Sequence, residues 1–140
     1  MMIDRRLPST LALALWLLPG AATGAGNPKQ APTYSNVCMH PESGDLLGLE
    51  VSFVGGAQGG YALVQRYEGE AIAPEVMKIK PRGESLVLML GNTESIAVRR
   101  EGSGLRVTHL DGAQSSTGAS TETLPPASAV WQGRQVAACK

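Results

Sequence analysis

The sequence predicts an all-β domain, a small antiparallel meander closing into a barrel or a sandwich of about six to eight strands. Three observations carry this expectation. Short segments of alternating apolar and polar residues recur at close spacing between Gly-rich turns. Past the N-terminal leader, no long stretch repeats its apolar residues with a helical period. The two cysteines, Cys38 and Cys139, stand near opposite ends of the domain.

The leader comes first. Arg5 and Arg6 form a short basic start, Leu11–Leu18 is an unbroken apolar run, and Pro19–Gly20 ends it. "AATGAG" then supplies the small residues that a signal peptidase needs. The expectation is a secretory signal peptide over residues 1–25, cleaved after Ala25, with Ala22 or Gly24 as alternatives. The apolar run is too short for a membrane span, which needs roughly 20 residues, so no transmembrane segment is expected after cleavage. Pro8, two residues after the paired arginines, argues against twin-arginine export. These features place the protein in the periplasm or outside the cell.

What remains is roughly 115 residues, the size of one domain. The chain carries 12 basic and 12 acidic residues. Losing Arg5, Arg6 and Asp4 with the leader keeps it within one charge of neutral. That balance gives no reason to expect nucleic acid, which wants a strongly basic face.

Residues 26–36 are rich in Pro, Gly and Asn and read as a flexible N-terminal arm. The single β domain then runs over 37–140. "PESGD" at 41–45 is a turn. In "LLGLEVSFV", Leu49, Val51 and Phe53 share one face and Glu50 and Ser52 the other, the pattern of a half-buried strand. After "GGAQGG" at 55–60, Tyr61, Leu63 and Tyr67 line one side of the next strand. Pro74 makes "EAIAP" an edge or corner. Met77 and Ile79 alternate with Lys78 and Lys80. Leu86, Leu88 and Leu90 oppose Val87 and Met89 in the most apolar strand. Ile96 and Val98 are expected to pair with Leu105 and Val107 across the "GSG" turn at 102–104. Residues 113–128 are low-complexity Ser, Thr, Ala and Pro and read as a long exposed loop. "AVWQGRQVAACK" is expected to return as the final strand. An immunoglobulin-like sandwich is the rival architecture. It lacks a tryptophan between two cysteines at sandwich spacing, since Trp131 sits close to the second.

Two cysteines in an oxidising compartment are expected to pair. A Cys38–Cys139 bond would tie the domain's beginning to its end, as a clasp between first and last strands. The competing reading is a copper-type site from Cys38, Met39 and His40. Adjacent residues of an extended strand point to alternate faces, which opposes it.

Catalytic machinery is not evident. No Ser lies in a GxSxG elbow, and Ser103 between glycines is turn composition. "GGAQGG" lacks the Lys-Ser/Thr end of a phosphate loop. His109 reads as a half-buried strand residue. The expectation is no enzyme, no cofactor and no metal. Glycine lets a partner's backbone approach closely, so Gly56, Gln58 and Gly59, with Tyr61 and His109, are the candidate binding residues. Arg99, Arg100 and Arg106 form a small basic patch that suits anionic lipid phosphates.

In layout the chain is similar to the periplasmic inhibitors of C-type lysozymes. "NVCMH" at 36–40, the meander and "VAACK" at 136–140 carry the likeness. That family's inhibitory loop has a Ser-Gly-x-x-Tyr-like signature. Here "GGAQGGY" at 55–61 keeps glycines and Tyr61 but lacks the serine. The resemblance implies an exported, barrel-shaped protein inhibitor. The expected function is a non-catalytic binding module of a bacterial-type envelope with a protein partner. The alternative is a structural or accessory component of an envelope assembly.

Overall fold

The strand Leu46–Val54 is the one on which the rest of the sheet is organised, because three other strands pair along it. The computed structural model describes residues 32–55, 60–110 and 119–140. The leader at 1–25, positions 26–31 of the arm, Gly56, Gln58 and Gly59, and residues 113–118 of the 113–128 segment lie outside the described residues. In chain order the strands are β1 (Thr33–Ser35), β2 (Cys38–Met39), β3 (Leu46–Val54), β4 (Tyr61–Gly69), β5 (Glu75–Arg82), β6 (Ser85–Leu90), β7 (Thr93–Glu101), β8 (Gly104–His109), β9 (Thr121–Leu124) and β10 (Pro126–Ala127). All pair antiparallel, in the order β10-β1-β3-β4-β5-β6-β7-β8-β9, with β2 also on β3.

The protein is an all-β meander nearly closed into a barrel. β1 and β2 lie end to end along β3, and β9 and β10 are divided only by Pro125. β9 pairs with β8 while β10 pairs with β1, so the pairing returns to its start. Pro125 has no N–H to give to a ladder, but its carbonyl accepts the Ser35 N–H at 3.0 Å and bridges the break.

Alternation decides what fills the interior. Val51, Val64, Met77, Leu88, Ile96 and Val107 point inward and are fully buried. The expected hairpin forms with Val98 opposite Val107, while Leu105 faces Arg100 and Ile96 faces His109. Val87, on the outer side of β6, is also fully buried, so this strand is covered on both faces at its centre. Among the described residues no helix is long and apolar enough to cross a membrane.

Four expectations need correction. The N-terminal arm ends in structure: Thr33, Tyr34 and Ser35 form β1 and all three are buried. Part of the low-complexity loop is likewise β9 and β10. Thr121 and Thr123 suit a strand because β-branched residues do, and Leu124, read as loop, is completely buried. The C-terminal segment is not the last strand. Both edges of β1 are already taken by β3 and β10. Residues 128–140 therefore leave the sheet and form a strap, with a 3-10 turn at Val130–Gln132 and Gly133 at a left-handed φ of 84°. Lastly, Glu50 and Ser52 do not form a solvated face; both are buried.

The disulfide between Cys38 and Cys139 is present, with Cα atoms 4.9 Å apart. Its role differs from a clasp between first and last strands. The barrel is closed by β10 on β1, and the bond fastens the strap to β2. Met39 N–H donates to the Ala137 carbonyl at 2.8 Å, and Cys139 N–H to the Met39 carbonyl at 2.9 Å. With Cys38 oxidised there is no thiolate for a copper-type site at Cys38–His40.

Candidate functional site

Tyr61 and His109 do not share a surface. Tyr61 begins β4 on the outer wall, at the end where the β5–β6 and β7–β8 hairpins lie. His109 ends β8 on the inner wall at the opposite end, within 3.5 Å of Arg66. Arg66 is five residues along β4 from Tyr61, roughly 16 Å at the usual strand rise.

His109 belongs to a polar cluster at that far end. Its Nε2 donates to Glu122 Oε1 at 2.7 Å, and Arg66 faces its Nδ1. Arginine has no acceptor, so Nδ1 accepts and the hydrogen sits on Nε2. Asn36 Nδ2 donates to the other oxygen of Glu122 at 2.6 Å, and Asn36 Oδ1 accepts the Leu49 N–H at 2.7 Å. The His109 hydrogen bond, helped by Asn36 and the positive charge of Arg66, holds the Glu122 carboxyl below its ordinary range despite partial burial. The cluster joins β3, β4, β8 and β9 to the break between β1 and β2. Gly48 makes that break possible: its φ is 125°, and a Cβ there would lie 2.7 Å from Asn36 Oδ1 and 3.0 Å from Val37 Cα. Both nitrogens of His109 are engaged, which leaves neither directed at a substrate.

The strap creates a second polar centre on the outer wall. Both oxygens of Glu50 accept the Val130 N–H, at 3.1 and 3.0 Å, at the start of the 3-10 turn. The Arg134 guanidinium stands 3.8 Å from Glu50 and donates to Ser35 Oγ at 2.8 Å. Burial raises the Glu50 carboxyl above its ordinary value, and the contacts from Val130, Ser35 and Arg134 offset part of that rise. Burial, with the nearby Glu50 charge, likewise raises the Tyr67 phenol.

Beside this strap runs a groove of about 340 Å³, lined by Glu50, Ser52, Leu63, Gln65, Pro74 and Trp131. Leu63 faces Val76 across β4 and β5, and Tyr61 is at the near end of the same outer face. Trp131 is 62% exposed, Val76 59% and Tyr61 54%. Of the two candidate binding residues that are described, Tyr61 adjoins this surface and His109 does not. Trp131, Leu63 and Val76 were not foreseen, since alternation assigns Trp131 to a strand and cannot say which outer face stays bare. Among the described residues no group of three or more His, Cys, Asp or Glu is arranged to hold a metal.

Comparison with known proteins finds no family model, no characterised protein and no solved structure that matches this chain.

Proposed function

We propose that the protein is an exported, non-catalytic binding module that docks a protein partner of the cell envelope on its outer wall. The observation that carries this reading is the apolar surface of Tyr61, Leu63, Val76 and Trp131 around the groove beside the strap. Exposed aromatic residues beside an apolar recess are the usual anchors of protein interfaces. The leader at the start of the sequence and the disulfide support export. The engaged nitrogens of His109 support the non-catalytic part. The layout shared with periplasmic lysozyme inhibitors makes inhibition of a wall-degrading enzyme the finer form of the proposal.

The test is capture from an envelope fraction with the unaltered chain and with Trp131→Ala, alongside a C-type lysozyme lysis assay. A soluble enzyme retained by the unaltered chain and lost with Trp131→Ala is expected. Slower lysis would select the inhibitor form. Capture of a membrane complex would favour an accessory component of an envelope assembly. A retained protein that is indifferent to Trp131 and Tyr61 would refute the docking surface.

A further inference from the structure

Among the described residues the barrel interior is open at the end that carries the β5–β6 and β7–β8 hairpins. A cavity of about 370 Å³ lies there. Its floor is apolar: Tyr34, Phe53, Leu86, Val98 and Leu105 line it. Tyr34 and Phe53 meet edge to face, with ring centres 6.1 Å apart, and form one firm wall. An eight-position barrel is just wide enough to hold packed side chains or one small ligand, and barrel mouths are recurrent ligand sites. The volume is near the lower limit for such sites, roughly 300–1,000 Å³. It admits one alkyl chain or ring and excludes a two-chain lipid.

The rim adds charge. Arg100 is opposite Leu105 on the inward side of the β7–β8 hairpin, while Arg99, next to it, is opposite Arg106 on the outer face and adds its charge to the rim from that side. Three other arginines are paired with carboxylates: Arg82 with Glu94, Arg106 with Glu101 and Arg134 with Glu50. Neither Arg99 nor Arg100 has such a pair among the described residues. Among the described lining residues Glu84 is the one carboxylate, against Arg99 and Arg100. An apolar floor below the Arg100 guanidinium, with the Arg99 charge on the other face of the same strand, matches a molecule that is apolar at one end and anionic at the other.

We propose that this open end binds a monomeric single-chain amphiphile, its tail on Tyr34, Phe53 and Leu86 and its anionic head on Arg100. The site lies on the inner wall and is separate from the protein-docking surface around Trp131, so each stands or falls alone.

Calorimetric titration of the purified exported chain with decanoate and with decanol, both below their aggregation concentrations, tests it. Decanoate is expected to bind saturably at one site, and decanol on the order of tenfold more weakly, the worth of one charge-assisted hydrogen bond. Arg100→Gln, a change at an exposed position, is expected to remove the difference between the two probes. Leu86→Trp, which fills the floor, is expected to abolish both. Should that variant fail to fold, the Arg100→Gln comparison still decides. Absence of saturable decanoate binding overturns the proposal, as does equal affinity for decanol in the unaltered chain. Binding to phosphatidylglycerol vesicles with none to monomeric decanoate overturns it too, because that is a lipid-surface contact of the arginine patch.

Discussion

Replacing both cysteines with alanine tests what the disulfide does in a barrel that is closed without it. The bond joins residues 101 positions apart. The chain-entropy model gives about 4–5 kcal/mol for a loop of that length. The native state responds as well. Once uncoupled, residues 129–140 are held by Val130 on Glu50, Arg134 on Ser35 and the two backbone bonds to Met39. Each hydrogen bond is worth about 1 kcal/mol net, while ordering each residue costs about 1–2 kcal/mol. The strap's end therefore detaches, and its freedom returns some stability to the variant's folded state. The expected loss is about 2–5 kcal/mol in a urea or guanidinium titration. Hydrogen exchange separates the two effects. Amides of Val130, Met39 and Cys139 should fall to near-complete exposure, whereas β6 amides keep protection set by global unfolding. Equal residual protection in strap and β6 would refute the strap picture, since the segment would then open only with the whole barrel. An unchanged midpoint would show that the bond contributes nothing.

Three further outcomes follow from named contacts. Glu122 titrates below its ordinary value of 4.5 in the fold, so its stabilisation is present above that value and is lost as pH falls through the depressed one; Glu122→Gln should lower stability at pH 7 and flatten the acid limb of a midpoint-against-pH curve. Glu50 titrates above 4.5 because burial dominates, so its contribution is complete below 4.5 and is lost as pH rises through the raised value; Glu50→Gln should abolish that decline, and an unaltered slope would refute the assignment. A Cβ on Gly104 would lie 2.9 Å from the Leu124 carbonyl oxygen, so Gly104→Ala should cost about 1–3 kcal/mol as β8 and β9 move apart, visible as faster exchange in β9.

The meander from Leu46 to His109 was legible because its strands alternate cleanly, and period two is a local signal. Val51, Ile79 and Val98 lie on the faces that alternation assigns, whereas on β4 the interior takes Ala62 and Val64 and not the side of Tyr61, Leu63 and Tyr67. The closing strand was not legible. "TETL" at 121–124 has one apolar residue and sits in Ser/Thr-rich sequence, so composition hides a strand whose place depends on β8 and β1 standing ready beside it. The polar cluster was half legible. His109 stood out as a residue type, but Asn36, Arg66 and Glu122 come from three other segments, and only the closed register brings them together. The cysteine pairing followed from compartment alone. What it fastens did not, because that depends on both edges of β1 being occupied.

The outer wall reverses the usual relation between covering and polarity, and this reversal is the strongest physical support for a docking surface. On β1 and β3 the outward residues are Thr33, Ser35, Glu50 and Ser52, all polar and all buried, two of them in direct contact with the strap. Thr33 and Ser52 share a hydroxyl hydrogen bond of 2.8 Å, and Glu50 is met by Val130 and Arg134. Burying polar groups is tolerable only when they are bonded, and here they are. On the adjoining β4 and β5 the outward residues Tyr61, Leu63 and Val76 are apolar, with Gln65 and Lys78 among them, yet nothing among the described residues covers Tyr61 and Val76. Folding of the barrel does not need them apolar: the interior is filled from the opposite face of the same strands. Exposure of such side chains is unfavourable at roughly 25 cal/mol per Å² of apolar surface left in water. Covering them on association would recover that free energy, with Trp131 as the edge against which a partner would close.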